Sequence, residues 1–169
     1  MSRMPACRLL VVMGVSGCGK SSVGRRVASA LGWAFLEGDD LHPPANRARM
    51  RAGQPLDDAD RAPWLDAIGA WMDARLTAGE SGVIACSALK RRYREQLAGH
   101  RPGTRFCWLR VAPEQLRQRL RRRHDHFMPA SLLDSQLATL EPPGAGEPAF
   151  TVNADTDLDT TVRQVLRRL

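Results

Sequence analysis

The pattern of hydrophobic and polar positions predicts five short buried strands separated by helices. The strands are runs of apolar, often β-branched residues that are too short for helices, and segments with apolar residues at helical spacing follow them. The predicted strands are residues 9–13, 33–37, 82–86, 104–111 and 149–152. Because strands that alternate with helices form parallel sheets covered on both faces, the sequence predicts an α/β fold with a five-stranded parallel sheet.

The helices are predicted from apolar residues that recur every three or four positions. They are residues 22–31, 45–51, about 62–76, 90–98, 113–123, about 130–140 and 158–169. The helix at about 62–76 carries Trp64 and Trp71 on its apolar face, and core or subunit contacts are the favoured role for both rings over ligand platforms. No linker or repeat divides the chain, so a single domain over residues 1–169 is expected.

A net charge of +7 narrows the classes of partner. The excess comes from arginine and suits polyanions, among which both nucleotides and nucleic acids qualify. Aromatic residues make up only 5% of the chain and are not interleaved with the basic clusters, which disfavours single-stranded nucleic acid because stacking platforms are missing. We therefore expect small anionic ligands and no nucleic acid.

The chain has neither a membrane-spanning pattern nor a cysteine framework. No run approaches the roughly 18 apolar residues of a transmembrane helix, and no secretory signal is recognisable, so the sequence predicts a cytoplasmic protein with no membrane partner. The four cysteines form no C-x-x-C pair, which predicts reduced, mostly buried thiols and no zinc site. They are Cys7, Cys18, Cys86 and Cys107.

Residues 14–21, Gly-Val-Ser-Gly-Cys-Gly-Lys-Ser, match the phosphate-binding pattern G-x-x-x-x-G-K-[ST] between a predicted strand and a predicted helix. The glycines allow successive N–H groups to point at phosphate oxygens beside a positive helix end. Lys20 would reach the β- and γ-phosphates of ATP, and the Ser21 hydroxyl would bind the accompanying Mg²⁺. The residues expected to contact the nucleotide here are Gly14, Ser16, Gly17, Cys18, Gly19, Lys20, Ser21 and Ser22.

A polar cluster follows the second predicted strand and is the candidate site for a phosphoryl acceptor. Ligands of parallel sheets collect beyond the carboxyl ends of the strands, so this cluster should lie near the phosphate loop. Asp39 is the best candidate to position a hydroxyl or take its proton, Asp40 is its rival, and an ordinary turn or helix cap is the alternative for the pair. His42, before two prolines, is either a turn residue or a substrate contact.

The arginine-rich helix at 113–123 supplies the remaining positive charge. Arg119 and Arg123 are four residues apart and share a face, so both would reach phosphates if the following segment closes over the nucleotide as a lid. The neighbouring arginines point elsewhere around the helix, and simple solvation remains the alternative for each of them.

Several longer strings resemble the gluconokinases of the small P-loop type, relatives of shikimate kinase and the nucleoside monophosphate kinases. The likeness extends from about Leu9 to Leu169. The phosphate loop is shared by many activities, whereas the strings around the predicted acceptor site are far more specific. These strings are Gly-Asp-Asp-Leu-His-Pro at 38–43, Cys-Ser-Ala-Leu-Lys at 86–90, Tyr-Arg at 93–94 and His-Phe-Met at 126–128.

The resemblance implies transfer of the γ-phosphate of ATP to the 6-hydroxyl of D-gluconate, a strand order 2-3-1-4-5 and a homodimer. It implies an acceptor-binding region at about 38–62 and a lid at about 123–130, with Lys20, Asp39 and Arg123 as catalytic residues. Asp39 would also contact Mg²⁺ with Ser21, and Arg119 and Arg123 would contact the nucleotide. The substrate residues implied are Asp39, His42, Asn46, Arg49, Arg61, Ser87, Lys90, Arg94 and His126.

This chain departs from the family pattern at two places. Arg49 and the region of Arg91 carry arginine where lysine is usual, and a planar guanidinium is not interchangeable with an ammonium group. The lid sequence is also richer in arginine than usual, so the phosphate-binding arginine of the lid is open. A related kinase for shikimate or another hydroxy acid and a nucleotide-gated nucleic-acid binder are the alternative functions.

Overall fold

The computed structural model describes residues 6–122 and 130–169, and it contains the predicted parallel sheet. The strands are β1 (Leu9–Met13), β2 (Ala34–Glu37), β3 (Gly82–Ala85), β4 (Thr104–Arg110) and β5 (Ala149–Asn153). They pair in the order β2-β3-β1-β4-β5, every pair is parallel, and Val11 of β1 stands opposite Ile84 and Phe106. The predicted fold class and strand order are confirmed.

Helices cover both faces of the sheet. They are α1 (Lys20–Leu31), α2 (Pro44–Arg51), α3 (Asp58–Thr77), α4 (Arg91–Ala98), α5 (Pro113–Arg122), α6 (Ala130–Thr139) and α7 (Leu158–Arg167). Side chains of β1 point alternately to the two faces, so Leu10 and Val12 pack in the cluster with α1 and α7, while Leu9 and Val11 pack with α3 and α4. Every residue of β1 is buried, as a central parallel strand requires.

Two local structures differ from the sequence prediction. Helix α3 begins at Asp58, four residues before the predicted start, because Asp57 and Asp60 form a reciprocal capping box that starts the helix ahead of Pro63. The acceptor cluster, predicted as a loop, includes a single 3₁₀ turn at Gly38–Leu41. The other predicted elements begin and end within two residues of the observed ones.

The four cysteines are free thiols, as predicted. Cys18, Cys86 and Cys107 are buried and Cys7 is half-buried. Burial raises the pKa of the Cys86 and Cys107 thiols to about 12, so both stay protonated. Within residues 6–122 and 130–169, no helix combines the length and the apolar character needed to cross a membrane.

Three loops meet at the carboxyl edge of the sheet, after β1, β2 and β3. The N–H of Gly14 donates to the carbonyl of Ser87 at 3.3 Å, which joins the first loop to the third. The Gly38 backbone lies so close to the Ala85 carbonyl that a Cβ at position 38 would clash with it. The predicted phosphate loop and the predicted acceptor cluster are therefore neighbours.

Candidate active site

The loop after β1 has the geometry of an anion-binding nest. Gly17 and Gly19 have φ angles of +85° and +98°, which favour glycine, and Gly19 is the N-cap of α1. No side chain caps this helix, and its first turn contains no acidic residue. The N–H groups at the start of α1 and the positive helix end can therefore receive phosphate oxygens.

Lys20 and Ser16 face an open cleft beside the nest. The Lys20 ammonium donates to the carbonyl of Val15 at 3.1 Å, so it lies folded against its own loop. The N–H of Ser16 donates to the Gln136 side-chain oxygen at 2.7 Å. Gln136 was not among the predicted site residues, because only the folded chain brings α6 to this loop.

Ser21 lies beside a carboxylate that the sequence prediction missed. Its hydroxyl donates to Glu37, the last residue of β2. Burial raises the pKa of Glu37, and the nearby Asp39 and Asp40 add to this effect, while the Ser21 hydrogen bond and Lys20 oppose it. The sequence signal was available, since Glu37 stands two residues before Asp39 at the end of a strand.

The oxygen atoms around Ser21 fit Mg²⁺. A hydroxyl and a carboxylate beside a phosphate nest are the hard ligands that this ion takes, and phosphates and water complete its shell. Among the described residues, no group of three His, Cys, Asp or Glu side chains could enclose a metal by itself.

A cleft opens next to Lys20 and extends between α3 and α6. It contains six predicted residues, which the fold brings together from four separate segments. These are Ser16, Lys20, Asp39, His42, Arg61 and Ser87. The other lining residues, which the sequence did not single out as site residues, are Met50, Gln54, Pro55, Leu56, Trp64, Leu89, Leu132, Ser135 and Gln136.

His42 is held against the wall of this cleft in its neutral form. Its ring stacks on Trp64 with the centroids 4.2 Å apart, and the Asn46 side-chain nitrogen lies 3.3 Å from Nδ1. That nitrogen can only donate, so Nδ1 accepts and Nε2 carries the proton. Burial lowers the pKa of His42 to about 4, opposed by Asp39 and reinforced by Arg61 and Arg47.

Trp64 connects this wall to the turn that carries Asp39. Its Nε1 donates to the carbonyl of Gly38 at 2.8 Å, and its ring is 1% exposed. The favoured core role for Trp64 therefore holds, but the ring also lines the cleft. Trp71 lies elsewhere on α3, where its ring packs against Gly82.

Four predicted substrate residues do not line the cleft. Asn46 is buried behind His42 and also donates to the carbonyl of Asp60 at 2.7 Å. Arg49 pairs with the Asp60 carboxylate at 2.9 Å, and Lys90 pairs with Asp58 at 3.1 Å. The fourth residue, Arg94, is buried.

Arg94 makes its observed contacts inside the protein. Its guanidinium is 1% exposed and pairs with Glu147 at 2.7 Å. It also donates to the carbonyls of Ala88 and Glu141 at 2.8 and 2.9 Å. Because these contacts occupy both ends of the guanidinium, Arg94 fixes the loop after β3 from behind.

A second cavity lies on the other side of the nest. Arg119 lines it and donates to the carbonyls of Gly17 at 3.3 Å and Ala154 at 2.6 Å, joining the nest to the segment after β5. Cys18, Gly19 and Ser22 also line this cavity. Arg123 and His126, together with the predicted lid apart from the start of α6, lie outside the described residues.

Known proteins are similar to this chain over most of its length. The AAA domain family matches residues 9–143. The gluconokinase of Gluconobacter oxydans (strain 621H) is 52% identical over 160 residues, which cover 95% of this chain and 90% of that protein.

Two solved structures are also similar over nearly the whole chain. A sugar kinase from Janibacter sp. HTCC2649 superposes with a TM-score of 0.91 at 44% identity, covering 95% of this chain and 93% of that one. A gluconokinase from Sinorhizobium meliloti 1021 superposes with a TM-score of 0.84 at 47% identity, covering 98% and 92%. The chain therefore belongs to the AAA domain family and to the gluconokinases.

Proposed function

We propose that this protein transfers the γ-phosphate of ATP to the 6-hydroxyl of D-gluconate, giving 6-phospho-D-gluconate and ADP. The observation that carries the proposal is that Asp39 lines the same cleft as Lys20 and Ser16 of the phosphate loop. An acceptor hydroxyl beside Asp39 is thereby within reach of a phosphate held by that loop. The gluconokinase names of close relatives supply the substrate.

The nucleotide phosphates bind the N–H groups of the loop and the start of α1. Lys20 leaves the Val15 carbonyl and pairs with the β- and γ-phosphate oxygens, and the Gln136 amide leaves the Ser16 N–H. Ser21, oriented by Glu37, and Asp39 would hold Mg²⁺, which would supply positive charge to the phosphates. The cavity beside Arg119 receives the nucleoside.

The chemical step is an in-line displacement at the γ-phosphorus. The acceptor oxygen forms a bond to phosphorus, the bond from phosphorus to the bridging oxygen of ADP breaks, and the hydroxyl proton passes to Asp39. Lys20 stabilises charge on the transferring group. Arg123 and His126 of the lid are proposed to close over the phosphates and the acceptor.

The neutral polar groups of the cleft suit the hydroxyls of a sugar acid. The Ser87 hydroxyl can donate and accept, and the neutral ring of His42 offers one donor nitrogen. Asn46 fixes the tautomer of His42 from outside the cleft. A hydrogen-bonding wall of this kind binds a polyol without adding charge.

The substrate is tested by incubating the protein with ATP, Mg²⁺ and a panel of acids that includes D-gluconate and shikimate. We expect ADP release with gluconate at well above the buffer rate, and a product phosphorylated at the 6-position by NMR. Faster ADP release with another acid would contradict the substrate assignment. No contact of the described residues favours the nucleic-acid alternative.

Asp39→Asn tests the acceptor side separately. The amide keeps the size of the side chain but cannot take the proton, so kcat should fall far more than nucleotide affinity. Nucleotide affinity is measured by titration with a fluorescent ATP analogue. An equal loss in both quantities would make Asp39 chiefly a metal or structural residue.

A homodimer and a cytoplasmic location complete the proposal. The resemblance to the gluconokinases supports the dimer, but Trp64 and Ile68 of α3 are buried within the chain and are not available to an interface. Light scattering of the purified protein tests the dimer. A monomer mass at the concentrations used for the assay would contradict it.

A further inference from the structure

The charges that line the substrate cleft are unevenly placed. Among its described lining residues, the charged side chains are Lys20, Asp39 and Arg61, because His42 is neutral. Lys20 belongs to the phosphate loop and Asp39 to the turn after β2, whereas Arg61 comes from the first turns of α3. Among the described residues, the cleft therefore offers one cation outside the phosphate loop, Arg61, to an acceptor.

Arg61 is held in place by a tyrosine. Its guanidinium donates to the Tyr93 hydroxyl at 3.0 Å and lies over the Tyr93 ring, 5.6 Å from the ring centre. The Tyr93 hydroxyl in turn donates to the Asp58 carboxylate. With its proton committed to Asp58, this oxygen can only accept from Arg61, so the direction of the guanidinium is fixed.

Asp58 is itself neutralised by other cations. Lys90 lies 3.1 Å from its carboxylate, and Arg92 also pairs with it. Two cations thus pair with this carboxylate, and Arg61 is joined to it through the Tyr93 hydroxyl, so the group of Asp58, Lys90, Arg92 and Arg61 keeps an excess of positive charge. The single hydroxyl contact that this cluster makes to Arg61 uses one of the five N–H donors of the guanidinium.

We propose that Arg61 binds the carboxylate of the acceptor and that Tyr93, held by Asp58, positions the guanidinium for it. This inference rests on the proposed function and adds an orientation to it. The acid end of the acceptor lies at Arg61, and the hydroxyl to be phosphorylated lies at Asp39 beside the phosphate loop. A planar guanidinium binds a carboxylate through two parallel hydrogen bonds, which a neutral analogue cannot reproduce.

The test compares D-gluconate with D-gluconamide, which has the same hydroxyls but a neutral amide in place of the carboxylate. Hydrogen bonds to charged groups contribute about 1.5–3 kcal/mol, so we expect kcat/KM to favour gluconate by about 10–150-fold in the wild type. Arg61→Gln should bring this preference close to one. Arg61→Lys, which keeps the charge without the fork, should give an intermediate preference.

Arg75→Gln is the matched control. Arg75 also lies on α3 and its guanidinium also lies over an aromatic ring, 5.5 Å from the centre of Trp71, although its polar partner is the Glu80 carboxylate instead of a hydroxyl. It lies roughly 20 Å further along the helix from Arg61. The preference for gluconate should be unchanged in this variant.

Tyr93→Phe separates positioning from structural support. Loss of the hydroxyl should raise KM for gluconate by about 3–10-fold, as expected for one lost hydrogen bond, while KM for ATP and kcat/KM for gluconamide stay near their wild-type values. A purely structural tyrosine would lower kcat/KM for both acceptors equally. That result would overturn the positioning role.

The outcomes for Arg61 are distinct from a failure of the proposed function. A wild-type protein that releases no ADP with gluconate refutes the proposed function, and the inference falls with it. A wild-type protein that uses gluconate but does not prefer it to gluconamide refutes the inference alone. An Arg61→Gln protein that melts at the wild-type temperature but keeps the full preference for gluconate over gluconamide also refutes the inference alone.

Discussion

The loops after β1 and β3 meet at the carboxyl edge of the sheet but obtain their shapes in different ways. The loop after β1 takes its left-handed backbone angles at glycines, including Gly17 and Gly19. In the loop after β3, Ala88 has a left-handed backbone angle, with a φ of +45°. Among the described residues, it is the non-glycine residue with a positive φ. Such an angle is unfavourable for alanine and requires support from outside the loop.

Arg94 and the segment after α6 provide that support. Arg94 donates to the Ala88 carbonyl at 2.8 Å, and the N–H of Glu141 donates to the Leu89 carbonyl at 2.8 Å. Burial alone would raise the pKa of Glu147, but its hydrogen bonds from Arg94 and Gly144 outweigh burial and lower it, so the carboxylate stays charged beside Arg94. A loop can thus be specified by its own residues or by residues far along the chain.

Arg94→Met should therefore destabilise the whole protein. It leaves the Glu147 carboxylate, whose side chain is 4% exposed, without its partner, and breaking a buried ion pair costs about 3–5 kcal/mol. The free energy of unfolding from urea titration measures the loss. The double variant Arg94→Met with Glu147→Gln should recover part of it, and a loss below about 1 kcal/mol would show that the pair does not hold the loop.

In contrast to Arg94→Met, Lys20→Ala should lower catalytic activity and leave the stability of the protein nearly unchanged. Removing one charged group that stabilises a transferring phosphate lowers kcat/KM by about 10²–10³-fold, which is about 3–4 kcal/mol. The side chain is half-exposed and bonds its own loop, so the free energy of unfolding should change by less than about 0.5 kcal/mol. Near-normal turnover would show that the loop does not hold the reacting phosphate.

Trp64→Phe should lower both the stability and the catalytic activity, each by a smaller amount than the two variants above. The variant keeps an aromatic ring against His42 but leaves the Gly38 carbonyl without its donor, which costs about 1–3 kcal/mol of stability. Because Gly38 precedes Asp39, kcat/KM for the acceptor should fall while KM for ATP stays the same. Trp71→Phe, on the same helix but packed against Gly82, is the control and should leave the acceptor kinetics unchanged.

The distinction between loops specified by their own residues and loops specified by distant residues also explains which features could be predicted from the sequence. The phosphate loop, the strand order and the helices follow from local patterns and family strings, and residues 38–43 led to Asp39 and His42. Glu37 was missed although it shares its strand end with Asp39. Gln136 was missed because its contact with Ser16 spans 120 residues of sequence and exists only once α6 folds against the loop.

Arg94 and Arg61 show most clearly what could not be predicted from the sequence alone. Both are arginines within strings typical of the family, and both were predicted to contact the substrate. The structure buries one against Glu147 and opens the other to the cleft. Residue type and spacing do not distinguish these outcomes, because burial depends on Glu147 and on the approach of α3, which only tertiary packing determines.

His42 provides the most selective effect, a dependence of stability on pH that vanishes above about pH 7. Its pKa is lowered to about 4 in the folded protein, against about 6.5 when unfolded. As the pH falls from 6.5 towards 4, the unfolded chain takes up a proton that the folded chain does not, so stability is lost by at most about 1.4 kcal/mol per pH unit. His42→Gln should remove this part of the change of the free energy of unfolding with pH, measured by urea titrations between pH 7 and pH 4.5. His100→Gln, at an exposed position, should keep it. An unchanged slope in His42→Gln would mean that the ring accepts a proton against Trp64 as readily as it does in the unfolded chain.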